Sequence, residues 1–273
     1  MSLVVSPCQA LKVVVITLVS ILALSSCTTQ TPRKADSDPG SSASPTVKSI
    51  QPNLPDVELT PDLLYQILVS DIAAQRGNTR IAMAGLVEAA RSTQDPRLAE
   101  QATRLAVLAG DYDTGIEMAR LWVKNAPDDA SVHQTLGNLY VVADKLELAL
   151  PHYRTAIELT RIEHSELLLQ NITETLVRYA DKPEAIAAMQ QLVDAFPESA
   201  AVRLAQSRLA GSLRMIDPAL SAADAALSLD PDWEAAATYK FKLLLAGDQP
   251  DEAISFANSY LKKHKKYTLL RSS

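Results

Sequence analysis

The apolar positions of this chain fall into three regimes. Val13 to Leu24 is a continuous apolar run, VVVITLVSILAL. Thr28 to Glu58 is rich in Pro, Ser and Asp and has no apolar periodicity, so it cannot bury enough surface to order itself. From Thr60 onward, apolar helical stretches alternate with short breaks. This regime opens on Thr60-Pro61, an N-cap followed by proline at the first helical position, where the missing N–H costs nothing. Small residues then open a second apolar helix at Ala82, Gly115, Ala149, Ala185, Ala219 and Ala253, in steps of 33, 34, 36, 34 and 34 residues. Pro127, Pro197 and Pro231 stand where second helices end. The pattern predicts helix pairs repeated at a fixed period, with an insertion before Ala185.

A step near 34 residues is the period of the tetratricopeptide repeat. The clearest unit is DASVHQTLGNLYVVADKLELALPHYRTAIEL, in which Leu136, Gly137, Tyr140, Ala149, Tyr153 and Ala156 fall on the repeat's large and small packing positions, and His133 replaces the usual Trp. Gly137 and Ala149 are small because two antiparallel helices approach closely there, while the large residues fill the space on either side. Six units are readable, at 63–95, 96–129, 130–163, 166–199, 200–233 and 234–266. One such pair cannot cover its own apolar face, so neighbours stack into an all-α solenoid, expected over 59–266 with a tail at 267–273. A compact bundle would make the even spacing a coincidence.

Composition agrees with helices. The 273 residues hold eight glycines and three phenylalanines within 47% hydrophobic content, where a sheet protein would be richer in β-branched and aromatic residues. A net charge of −6 and a pI near 5.3 exclude a nucleic-acid binder, which needs a basic surface. The basic stretch KKHKKY, Lys262 to Tyr267, reads as a solvated helix end.

The first regime is an address. Val13 to Leu24 is shorter than the ~20 residues a spanning helix needs and matches the apolar region of a secretory signal. Leu24-Ser25-Ser26-Cys27 then resembles the lipobox of bacterial lipoproteins, which implies a signal peptide at 1–26, lipidation of Cys27 and a linker to residue 58. Acyl chains on Cys27, palmitate among them, exceed the two-signal threshold for stable anchoring. Thr28 follows the cysteine where Asp would retain the protein at the inner membrane, so the expected location is the periplasmic face of the outer membrane. Cys8 would leave with the signal, so no disulfide is expected. The linker has a reach of roughly 30 Å.

Candidate chemistry points away from catalysis. The sequence contains no P-loop, HExxH, GxSxG or paired-cysteine pattern and leaves no free cysteine, so neither an enzyme nor a cofactor is expected. His133 and His152 lie on facing helices of one unit, where half-buried packing is the plainer reading than a metal site. His164 and His264 read as surface residues, and Asn171-Ile172-Thr173 matches a glycosylation sequon that is uninformative in a bacterial lipoprotein. A solenoid instead offers a concave wall of first helices. The ninth residue of each unit should face it: Asp71, Arg104, Asn138, Glu174, Arg208 and Lys242. Arg104, Asn138, Arg208 and Lys242, with Gln134 and Asn171 beside them, are the candidates for holding a partner's carbonyls or carboxylates. A plain solvated face is the alternative.

LTPDLLYQILVSDIAAQRG (59 to 77) and DPRLAEQATRLA (95 to 106), with the lipobox and the linker, resemble a group of outer-membrane tetratricopeptide lipoproteins of γ-proteobacteria. In that group a member is the adaptor of a periplasmic carboxyl-terminal processing protease that degrades cell-wall hydrolases. The resemblance implies a non-enzymatic scaffold whose partners are that protease and peptidoglycan hydrolases. An assembly or pilot lipoprotein for a secretin or β-barrel machine is the alternative. The group continues with further repeats, whereas this chain stops after KKHKKYTLLRSS without a polar capping helix, as a shortened member. A truncated product, self-association through the uncapped end, or a partner covering Leu261, Leu269 and Leu270 would each account for that.

Overall fold

A computed structural model of the protein describes residues 54–160 and 162–264, without the side chains of 162–164. The expected signal, Cys27, the linker as far as residue 53 and the tail after His264 lie outside the described residues. Leu54 to Thr60 have no regular secondary structure. Twelve helices follow among the described residues: α1 Pro61–Gln75, α2 Thr79–Thr93, α3 Pro96–Ala109, α4 Tyr112–Asn125, α5 Ala130–Val142, α6 Leu146–Leu159, α7 Ile162–Tyr179, α8 Lys182–Ala195, α9 Ala200–Ser212, α10 Ile216–Leu229, α11 Glu234–Ala246 and α12 Pro250–Lys263. They run as six hairpins, the all-α tetratricopeptide-type solenoid that the spacing predicts.

Local chemistry fixes where the helices begin. The Thr60 hydroxyl accepts from the Leu63 N–H at 3.2 Å, and Asp95, Asp111, Asp129 and Ser199 cap α3, α4, α5 and α9 in the same way. Each side chain satisfies an N–H that has no partner within its helix.

The turn inside each hairpin is a recurring device. Gly77, Gly110, Asp144, Arg214 and Asp248 have φ between +56° and +73°. The next residue's N–H then reaches back five residues, as from Asp111 to the Ala106 carbonyl at 2.9 Å and from Lys145 to Tyr140 at 2.8 Å. This is a Schellman closure, repeated at Asn78, Met215 and Gln249. The turn at Ala180-Asp181, in the fourth hairpin, lacks it. There α7 runs for 18 residues where the others have 13 to 15, and α7 and α8 touch only sparsely. Instead α7 packs on α5 and α9, and α8 on α6 and α9.

In the middle of the array the first helices α5, α7 and α9 lie against one another and the second helix α6 against α8, while α2 packs on α3, α4 on α5, α8 on α9 and α10 on α11, each a second helix on the first helix of the next hairpin. The largest core cluster runs from Ile116 to Leu209 through the third and fourth hairpins, with Tyr153, Leu136, Ile172, Leu176 and Leu192 fully buried. A second cluster joins Leu86, Met118, Trp122 and Val132, and two small ones hold the fifth and sixth hairpins.

Candidate functional site

The closest helix crossings position the wall of first helices. Leu136, Gly137, Tyr140, Ala149, Tyr153 and Ala156 are all buried. A Cβ on Gly137 would stand 2.6 Å from the Tyr153 ring, so the absent side chain is what admits the ring. The Tyr153 hydroxyl donates to Asn138 Oδ1 at 2.9 Å, and burial pushes its ionisation far up, so it stays a donor. Asn138 is thus a half-buried amide held in a fixed orientation by the core behind it.

The other ninth-position residues are placed less uniformly. Arg104 is exposed and pairs with Glu100 on its own helix. Asp71 accepts from Gln75 at 2.9 Å and Glu174 from Gln170 at 2.9 Å. Arg208 is turned inward: its side chain is 22% exposed, bonds Glu166 of α7 at 2.5 Å and lies 6.0 Å from the Tyr239 ring of α11. It ties three first helices together and is committed within the protein. Lys242 is exposed, while Gln134 and Asn171 are half-buried.

Sequence reasoning missed the apolar part of this wall. Side chains three, four or seven positions apart share a helix face. Counted in this way from the ninth residues, Leu64 and Leu68 join Asp71, Leu108 joins Arg104, Leu167 joins Glu174 and Leu245 joins Lys242. All five leucines are exposed, Leu108 at 74% and Leu167 at 65%. The signal was available in that periodicity; what hid it was that only the ninth residue of each unit was read as facing the groove.

The histidine pair is a packing element. His133 Nε2 lies 2.9 Å from the Pro127 carbonyl, which can only accept, so this nitrogen carries a hydrogen, and the two Nδ1 atoms of His133 and His152, 3.1 Å apart, share one hydrogen between them. Tyr140 stacks on His152 and takes a hydrogen bond from Arg120 Nε at 2.7 Å. Both His133 nitrogens are occupied. Burial first, then the neighbouring His133 and Arg120, hold His152 below the ordinary imidazole range. Among the described residues no group of three or more His, Cys, Asp or Glu is arranged to hold a metal.

With this geometry in view, comparison with known proteins is informative at the level of the repeat. No family model matches the chain. Over 114 residues it is 27% identical to a TPR repeat-containing protein of Pseudomonas aeruginosa, a match covering 42% of this chain and 19% of that relative's length. Among solved structures it is similar to a tetratricopeptide repeat protein from Parabacteroides merdae (13% identity, 74% of this chain and 80% of that one, TM-score 0.42). It is also similar to YrrB, a TPR protein with an unusual peptide-binding site (18%, 66% and 92%, TM-score 0.39). A third likeness is to PilW, a type IV pilus biogenesis factor (12%, 76% and 95%, TM-score 0.39).

Proposed function

We propose that this protein is a non-enzymatic interaction scaffold whose wall of first helices binds an extended, partly apolar segment of another protein. The observation that carries this reading is the set of exposed leucines, Leu64, Leu68, Leu108, Leu167 and Leu245, on the same helix faces as Asp71, Arg104, Glu174 and Lys242, with the oriented Asn138 on the first helix α5. Leucines exposed on these helix faces mark a surface that a partner covers, and fixed polar groups beside them set the register of a bound chain. Arg208 shapes the wall rather than binding across it.

In the fuller form of the proposal the scaffold is anchored through lipid on Cys27 to the periplasmic face of the outer membrane. There it brings a processing protease together with cell-wall hydrolases by raising their local concentration. Support for this form is the lipobox and the resemblance of residues 59 to 77 and 95 to 106. The test is affinity capture from the native envelope with the unaltered chain and with Leu108→Asp/Leu167→Asp. A soluble protease and hydrolases, captured by the former and lost from the latter, are expected. Integral outer-membrane proteins in their place would favour the assembly role, and capture indifferent to the leucines would move the interface to the second helices. Cys27→Ser should release the protein from membranes.

A further inference from the structure

Two junctions inside the array show how one hairpin stacks on the next. Where the second hairpin meets the third, Ile116 of α4 shares a core cluster with Leu139 of α5, and Val123 of α4 packs on the cluster that holds Val132 of α5. Where the fifth meets the sixth, Leu220 and Leu227 of α10 pack on the clusters that hold Leu243 and Ala236 of α11. The first helix thus contributes the third and tenth residues of its unit. The second helix contributes the residue after its small opening position and the one seven later. On the outermost helices among the described residues, the same positions are exposed. They are Tyr65 and Ile72 on α1, 69% and 46% exposed, and Ile254 and Leu261 on α12, 57% and 37% exposed. A solenoid face that meets water is ordinarily polar, yet these two keep the large apolar residues of an interior junction.

Charge follows the same fit. Helices joined by short loops run antiparallel, so a second helix ends beside the start of the first helix that follows it. α12 begins with Asp251 and Glu252 and ends on Lys262 and Lys263, whereas α1 begins near Glu58 and Asp62 and ends on Arg76, and all seven are exposed. We infer that copies of this chain stack head to tail, Ile254 and Leu261 of one on Tyr65 and Ile72 of the next. The lysines of α12 then face Glu58 and Asp62, and Asp251 and Glu252 face Arg76. Such a contact is heterologous: its two surfaces differ, so each copy takes one neighbour at either end and the solenoid continues. The sequence from Thr28 to Glu58 has no apolar period with which to supply a helix in the neighbour's place. Tyr65 and Ile72 lie about 100° round α1 from Leu64 and Asp71 of the wall, so the inference does not depend on the function proposed above.

Sedimentation equilibrium of the full chain tests this. One helix face on another is at the small end of stable contacts, so the mean mass should rise above that of a single chain between about 1 and 100 µM. Tyr65→Asp/Ile72→Asp and Ile254→Asp/Leu261→Asp alter exposed positions, and each variant should stay monomeric with the helical circular dichroism of the unaltered chain. Mixed in equal amounts, the two should recombine into dimers and nothing larger, because one intact α1 face then meets one intact α12 face. An unaltered chain that stays monomeric would overturn the inference, and would mean that its own flanking residues or another protein covers these faces. Variants that fail to recombine would overturn it too. So would dimers of the α12 variant alone, which would point to a two-fold contact between α1 helices.

Discussion

At the scale of single residues, one missing methyl group organises the middle of the array. Helical Gly→Ala normally gains up to ~1 kcal/mol. At Gly137 the new Cβ would lie 2.6 and 2.7 Å from two carbons of Tyr153, a side chain with no exposed surface and nowhere to retreat. The clash should win. Gly137→Ala is expected to destabilise the protein by roughly 1–2 kcal/mol in urea unfolding, and Gly137→Ala/Tyr153→Leu to be markedly less than additive. Additive losses would separate the glycine from the ring. A second residue-scale effect follows from His152. Its folded-state ionisation lies below that of the unfolded chain, at about 6.5, because burial, His133 and Arg120 all disfavour the charged ring. The neutral form is therefore the one folding prefers. Its stabilising contribution is complete above about pH 6.5 and is lost as pH falls from there through the lowered folded-state value. Urea midpoints measured from pH 7.5 down to 5 should decline more steeply for the unaltered chain than for His152→Phe, which keeps the ring against Tyr140. Parallel slopes would remove His152 from the account.

At the scale of helices and turns, the six hairpins were legible because backbone closure and small-residue crossings repeat at one spacing. The eighth position of each unit, Ser70, Thr103, Gly137, Thr173, Ser207 and Phe241, keeps the same period as the small residues that open the second helices. Sequence reading picked out only Gly137 there, since Ser and Thr at a buried crossing do not look like packing residues. Their hydroxyls are satisfied locally: Thr103 donates to the Ala99 carbonyl at 2.7 Å, Thr173 to Leu169 at 2.8 Å and Ser207 across the hairpin to Ala219 at 2.7 Å. Small pairs go with long contact, as in Thr103 with Gly115, Gly137 with Ala149 and Ser207 with Ala219, and the bulky Phe241 opposite Ala253 goes with a loose sixth hairpin; the fourth, with Thr173 and Ala185, is loose despite a small pair, because its turn closure is missing. Ser207→Leu should therefore pry α9 from α10 and cost about 2–3 kcal/mol, while Phe241→Leu, in a crossing already wide, should cost less than about 1.5. Thermal melts of the two variants would separate these outcomes, and equal losses would refute the size argument. The sequence marked the fourth unit by its extra two residues, but not its consequence, because the missing Schellman closure depends on the backbone of Ala180 and not on any conspicuous residue type.

At the scale of the whole array, stability should follow how the core is distributed along it. In a solenoid each hairpin is held by its neighbours, so the array need not unfold as one unit. The main cluster gathers 22 buried residues from the third and fourth hairpins and the helices on either side, whereas the last two hairpins share clusters of four and three. In α12 only Ala253 is buried. The sixth hairpin is held on the fifth by few buried residues, Ala236 and Leu243 of α11 against α9 and α10, and by Lys240, which pairs with Asp224 of α10 and also lies 4.5 Å from the Phe256 ring of α12. Exposed charge pairs contribute at most ~1 kcal/mol, so they cannot replace a missing core. Hydrogen exchange should show α11 and α12 opening at low free energy, α1 next, and α5, α6 and α9 protected close to the global limit. The loose α7–α8 contact does not alter that order, because both helices are buried against other partners and their apolar residues belong to the largest cluster. If α7 and α8 exchanged together with α12, the splayed hairpin would be a fault line and the array would divide at its middle. Protection that peaks on either side of α7 and continues through it would establish that neighbouring hairpins, and not the pair itself, hold the fourth unit in place.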